Sequence, residues 1–274
     1  DTNDDEVCNN ADAETTRDDV LHTQWEDDSI PLDPVTGASL PLPVNSLIRN
    51  GGDNAAIVSL VSDGVALYGT GYTFGAGGNL EGTFAAEWAT GALRWVEDCH
   101  GDTYQAAPVG GVVYQASHKH YCGNIGAFPQ TEPWTMNRAT AVTTAAVGTA
   151  TREPYGYFNF EGNPTPAQLN WYPDVNQGTF TGQGQGPWAV TGNADYVVMG
   201  GEFTVVNGVA QQGLVRFAVS SKAPNAQGPR VTGQRFELSA TSPEPGTARL
   251  QWVANHDRDN RDLTYRLIRN SNTA

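Results

Sequence analysis

Three of the five histidines, His100, His118 and His120, stand within or beside a pair of cysteines, Cys99 and Cys122. Imidazole nitrogens and carboxylate oxygens are the ordinary ligands of zinc and copper. His118 and His120 are two apart, so on a strand both point to the same face. A disulfide between Cys99 and Cys122 would bring His100 to that end, and Asp98 or Asp102 could complete a histidine-rich metal site. The alternative is that the histidines bond loop carbonyls beside a stapling disulfide, and the spacing leaves both readings open. No second cysteine pair exists to build a thiolate zinc site, so a disulfide is the economical reading for an exported chain. The third cysteine, Cys8, is left to pair outside this chain, to pair with another molecule, or to stay free.

Two other groups of residues could hold a ligand. Asp257, Asp259 and Asp262, with Asn260, crowd one loop and offer oxygens suited to calcium, although a plain solvated loop has the same composition. Trp134, Tyr155, Tyr157, Phe158, Phe160, Trp171, Tyr172 and Trp188 fall between residues 134 and 188. Flat rings cover the apolar faces of sugars while nearby amides bond the hydroxyls, and the same rings could equally form a core. Trp134, Trp171 and Tyr172 are the ligand-binding candidates. No residue is assigned a catalytic role. Glu161 and Asp174 lie among the aromatics without being marked as a glycosidase pair, and no nucleophile elbow, zincin helix or phosphate loop is present.

What positions these residues is read from composition and repetition. Glycine and proline together number 47, and the apolar residues fall in short runs, the pattern of many strands joined by tight turns. The fold class is all-β. Thirty acidic against fifteen basic residues give a net charge of −15. That balance excludes nucleic acid as a partner, since phosphate binding rests on cationic groups. Twelve carboxylates fall between Asp1 and Asp33, with Arg17 the only arginine or lysine among them. This segment reads as solvated, and no calcium-loop spacing supports capture of an ion there. No apolar run reaches the length of a membrane span, and the first residues lack the regions of a signal peptide.

Two short units recur. Leu32–Pro41 and Ala86–Trp95 each read as two strands joined at a Thr-Gly turn, and Gly37 and Gly91 are 54 residues apart. A weaker third copy spans Ala139–Gly148, and a fourth turn falls near Ser220 to Lys222. Between them a turn leads into an apolar strand at Ser62–Gly71, again at Val109–Ser117, and again at Gly192–Gly201. A period near 50 residues with about four strands per unit is what a propeller blade needs, because each blade buries its faces against its neighbours.

The stretch from Trp188 to Phe217, with the segment from Asp98 to Cys122, resembles the blades of secreted actinobacterial β-propeller surface proteins that end in fibronectin type III, PKD or LamG-like modules. After Pro224–Pro229, a linker by composition, Ala248–Trp252 alternates like a half-buried strand ending in a core tryptophan. Leu263–Arg269 alternates again, as in the first strands of a fibronectin type III domain. The expected organisation is an acidic segment at 1–30, propeller-like blades at 31–223 in an incomplete ring, a linker at 224–230 and a partial fibronectin type III-like module at 231–274. The implied protein is extracellular, secreted or attached to a cell wall, and non-catalytic, with propeller loops binding a glycan or a protein. The alternatives are a secreted propeller-class enzyme, acting on polysaccharide or using a metal at the His100, His118 and His120 cluster, and a filament subunit whose last module is completed by another chain; zinc, copper or calcium are the possible cofactors.

Overall fold

The computed structural model describes residues 32–75, 77–223, 228–257, 263–269 and 272–273. The acidic segment at 1–30, Cys8, Asp259 and Asp262 lie outside the described residues. Among the described residues helix is confined to single turns at Pro43–Ser46, Gly123–Ile125 and Gly233–Arg235, and all else regular is antiparallel β-structure. No described helix is long and apolar enough to cross a membrane.

Among the described residues, the first compact unit, which ends at Phe217, carries three larger sheets and a separate two-stranded pair. Sheet I joins β1 (Ala55–Ser62), β2 (Ala66–Thr73), β3 (Gly82–Glu87) and β4 (Leu93–Asp98) in sequence order, and sheet II repeats this with β5 (Thr103–Val109), β6 (Val112–Lys119), β7 (Asn137–Thr149) and β8 (Pro164–Gln168). Sheet III pairs β9 (Pro187–Gly192), β10 (Tyr196–Gly201) and β13 (Leu214–Ala218), which returns to β10 after the separate hairpin of β11 (Val205–Val206) and β12 (Val209–Ala210).

The turn-and-strand unit found three times in the sequence is the first hairpin of each sheet. Asp63 starts the turn between β1 and β2, its Oδ1 accepting from the amides of Val65 and Ala66 at 2.9 and 2.8 Å. Asn193 does the same between β9 and β10, accepting from Asp195 and Tyr196 at 3.0 Å each. Such short side chains close turns by bonding their own backbone. The Thr-Gly hairpin is present at Ala86–Trp95, where Gly91 adopts a φ of 68°, and at Leu32–Pro41, where Gly37 adopts 70° around one isolated bridge. The third copy is corrected: Ala139–Gly148 runs inside the single strand β7, because it holds no turn-favouring residue before Gly148 and is rich in β-branched threonine and valine.

Alternation along the central strands sends successive side chains to opposite faces. In β3 and β4, Phe84, Ala86 and Val96 pack with Val44, Ile48, Leu80 and Phe160 on the outer side of sheet I. Ala85 and Trp95 turn the other way and, with Ala66 and Tyr68, meet Val113, Ala106 and Val142 of sheet II. The far face of sheet II, through Ala107, Ala116 and Ala139, meets Val190, Val197, Met199 and Val215 of sheet III. Sheet II is thus covered on both faces, and the alanines at these boundaries let neighbouring sheets approach closely.

The second unit, Ala218–Ala274, pairs β14 (Leu238–Thr241) with β15 (Arg249–Trp252) and β16 (Ile268–Arg269) with β17 (Asn272–Thr273). Asn255 braces it by accepting from the Val231 amide and donating back to the Val231 carbonyl. Two expectations are corrected. Trp252 is not a core residue but is 42% exposed beside Tyr265, and the strand expected over Leu263–Arg269 is reduced to Ile268–Arg269. Two-stranded pairs offer no second layer to cover a face, and none of the unit's described apolar side chains is buried.

Candidate functional site

The loop after β7 carries Arg152-Glu-Pro-Tyr-Gly-Tyr-Phe158. Pro154 has no amide hydrogen, and the next three amides, of Tyr155, Gly156 and Tyr157, all converge on the Glu153 carboxylate at 2.6, 2.6 and 2.9 Å. An acceptor-only carboxylate is matched to three converging donors. Asn159 Oδ1 closes the base of the loop by accepting from the amides of Glu153 and Glu161. Backbone and carboxylate together fix where the tyrosines go.

Tyr157 stacks on His100, ring centroids 3.8 Å apart and planes 16° from parallel. Tyr121 lies 4.8 Å from the same imidazole and Tyr155 6.2 Å. His100 follows β4 at a φ of 38° and is fully buried. Its Nε2 lies 3.5 Å from Glu153 Oε1 and 3.9 Å from Asp98 Oδ2. Asp98 Oδ1 accepts from the Glu81 amide at 2.8 Å, and Glu81 Oε2 accepts from the Gly101 amide at 2.9 Å. Four ionisable side chains from sheet I and the 152–161 loop therefore meet beneath the tyrosines.

Burial sets their protonation. It pushes His100 down to about 3, with His120 adding to the effect, so the imidazole is neutral. It raises Asp98 well above the usual carboxylate range, reinforced by the negative neighbours Glu81, Glu97 and Glu153. Glu81 is pushed up to about 7, again by burial first, with Asp102 opposing its ionisation. The arrangement sets an acid whose ionisation burial and like charge oppose beside a neutral imidazole, and places a second acid that titrates close to neutrality.

Above this group opens a cleft of about 590 Å³, walled by Phe74 and Gly75 after β2 and by Tyr155, Gly156, Tyr157 and Phe158, with Glu81 and Asn79 in its lining. Phe74 is 66% exposed, Tyr155 49% and Phe158 41%. None of the ten lining residues is a lysine, arginine or histidine.

The structure joins the sequence candidates in two groups, His100 with Asp98 and, at 5.9 Å between rings, His120, and His118 with Asp102. Cys99 and Cys122 form the expected disulfide. His100 enters the group just described, but His118 bonds through Nδ1 to Tyr104 Oη at 2.9 Å and Gln185 at 2.7 Å. His120 lies past the end of β6, pairs with Gln130 and stacks on Trp134 at 4.0 Å. The same-face expectation for His118 and His120 meets a break in the β6–β7 register between Ala116 and Lys119. Asp102 Oδ2 accepts from the Tyr104 hydroxyl at 3.2 Å, and its amide donates to His118 Nε2 at 3.3 Å. Among the described residues the one set with three ligand atoms mutually within 4.8 Å is Glu97, Cys99 and Cys122, and its sulfurs are bonded to each other.

Of the aromatic candidates, Trp171 packs against Tyr114 and Phe217 in the core, Tyr172 meets Phe128, and Trp134 covers His120. Asp257 is buried in the second unit. Glu161 bonds Asn159. The residues that sequence reasoning did not single out are Phe74, Glu81 and Glu153. Only the last carried a signal: a carboxylate just before Pro-Tyr-Gly. Comparison with protein-family models, with curated proteins and with solved structures returned no match to this chain.

Proposed function

We propose that the protein is an extracellular, non-catalytic surface module that binds a neutral glycan in the aromatic cleft. The observation that carries this reading is the cleft's rim: three exposed rings, Phe74, Tyr155 and Phe158, set over a polar lining. Aromatic faces pack against the C–H surfaces of pyranose rings, and a protonated Glu81 can bond a hydroxyl without demanding a counter-charge. A uronate or sulfated sugar would meet the Glu81 carboxyl and no cation in the lining. The three sheets, packed in chain order with their first hairpins alike, support reading the first unit as a propeller-like array. The second unit is then a fibronectin type III-like spacer.

Titration calorimetry of the full chain against neutral and uronate-containing oligosaccharides tests the proposal. Neutral oligomers should bind, and Phe74→Ala or Tyr155→Ala should each weaken binding about five- to tenfold, since a stacked ring contributes about 1 kcal/mol. Binding unchanged in both variants would overturn it. A second reading, polysaccharide hydrolysis, is favoured by one observation, the Glu81 acid titrating near 7 in the cleft. Release of reducing ends that Glu81→Gln abolishes would select that reading.

A further inference from the structure

The boundary between sheets I and II ends in a polar group sealed from water. Thr83 of β3, Glu97 of β4, Gln115 and Lys119 of β6 and Thr140 of β7 are each 0% exposed. Lys119 Nζ donates to Glu97 Oε1 at 2.6 Å and to Gln115 Oε1 at 2.8 Å. Gln115 Nε2 donates to Glu97 Oε2 and to Thr83 Oγ1, both at 2.8 Å. The Thr140 hydroxyl donates to Gln115 Oε1 at 2.9 Å. Glu97 fixes which way the carboxamide faces. A carboxylate only accepts, so the NH₂ end must meet it, and the carbonyl is left to the amine and the hydroxyl.

These are the parts of an acyl transfer. A primary amine lies against a carbonyl. The carbonyl oxygen already receives a hydroxyl hydrogen bond, which favours charge developing there. One carboxylate touches both the incoming amine and the nitrogen that would leave, so a proton can pass between them without water. Burial also pushes Lys119 down and Glu97 up, toward the neutral amine that a nucleophile requires.

We propose that Lys119 and Gln115 condense into an intramolecular isopeptide bond, with Glu97 as the proton carrier. Lys119 Nζ attacks Gln115 Cδ, forming the new C–N bond while the carbonyl pair moves onto Oε1 under the Thr140 hydroxyl. Glu97 takes a proton from Nζ at Oε1 and delivers one from Oε2 to Nε2. The Cδ–Nε2 bond then breaks, the carbonyl reforms and ammonia leaves. A primary amine and a primary amide become a secondary amide and ammonia, Glu97 is regenerated, and no oxidant or cofactor enters. The product replaces a buried amine with an uncharged group, removing the cost of a charge held out of water.

Intact mass of the folded, then denatured and reduced, full chain decides the matter. The expected mass is about 17 Da below that of the sequence, the loss of one ammonia. Trypsin should leave Trp95–Arg138 uncut, because Lys119 is the one internal cleavage site and its amine is acylated. Tandem spectra should place the deficit between Gln115 and Lys119. Glu97→Gln and Lys119→Met should restore the full mass of their own sequences. A wild-type chain of full mass after prolonged incubation overturns the proposal, whatever the variants do. So does a deficit of about 18 Da, which would mean water lost between Lys119 and Glu97. A 17 Da loss mapped to Asn50–Gly51 or Asn207–Gly208 is a cyclised asparagine and overturns it as well.

Discussion

Replacing Glu81 by glutamine should stabilise the first unit at alkaline pH and change little at acid pH. The folded carboxyl titrates at about 7, whereas the unfolded one titrates at 4.5. The folded state therefore holds its proton longer, and stability from this group is full below 4.5 and lost once pH has risen through about 7. The gap of 2.5, from about 7 less 4.5, corresponds to about 3 kcal/mol at ~1.36 kcal/mol per unit. Glutamine has the shape of the neutral acid, still offers an oxygen to the Gly101 amide, and has nothing to ionise. Urea unfolding of both proteins, followed by tryptophan fluorescence at about pH 4 and about pH 9, measures the effect. Titrations of groups not coupled to Glu81 cancel when the two differences are subtracted, and the coupling to Asp98 adds in the same direction, since the variant removes a charge that opposes Asp98 ionisation. The variant should gain about 3 kcal/mol over the wild type between the two conditions. An equal difference at both, or a wild type favoured at high pH, would refute the assignment of Glu81 to a water-poor wall of the cleft.

Removing Glu153 as alanine strips the acceptor from three amides, so exchange at Tyr155, Gly156 and Tyr157 should accelerate at least tenfold by hydrogen exchange, with loss of oligosaccharide binding. Trp95→Ala removes the largest fully buried side chain at the boundary of sheets I and II and the bond from its indole to the Thr144 carbonyl, and should cost about 3–5 kcal/mol in chemical unfolding. Gly101→Ala forces a φ of 118° on a side chain whose Cβ would stand 2.6 Å from the His118 carbonyl, and should lower stability by at least about 1–3 kcal/mol in the same assay.

Local chemistry was legible and long-range convergence was not. The turns at Asp63-Gly64, Gly110-Gly111 and Asn193 announce themselves because few residues close a hairpin, and Cys99 and Cys122 had no competing partner among residues 32–274. The span Ala139–Gly148 misled because its spacing imitated a repeat while its composition favoured a continuous strand. Asp98 and His100 were marked as chemistry-bearing, yet their neighbours are Glu81, 17 residues before Asp98, and Glu153, 53 residues after His100. Nothing in the residues around Glu81 tells that its amide will reach back to Asp98. The two-residue spacing of His118 and His120 assumed an unbroken strand, and β6 ends between them.

Nearly every strand in the first unit pairs with its neighbour in sequence, so sheet I needs nothing C-terminal of Asp98 to complete its own hydrogen bonding. Such local pairing carries little loop-closure cost and lets a chain acquire structure from its N-terminal side while the rest is still being delivered. Cys99 follows sheet I directly, but Cys122 comes only after β6 has crossed the face of that sheet. The disulfide therefore ties the end of sheet I to the segment just past β6, and so holds the second meander against the first. Reducing it should loosen that docking more than it loosens sheet I, which trapping of free thiols beside hydrogen exchange would read out.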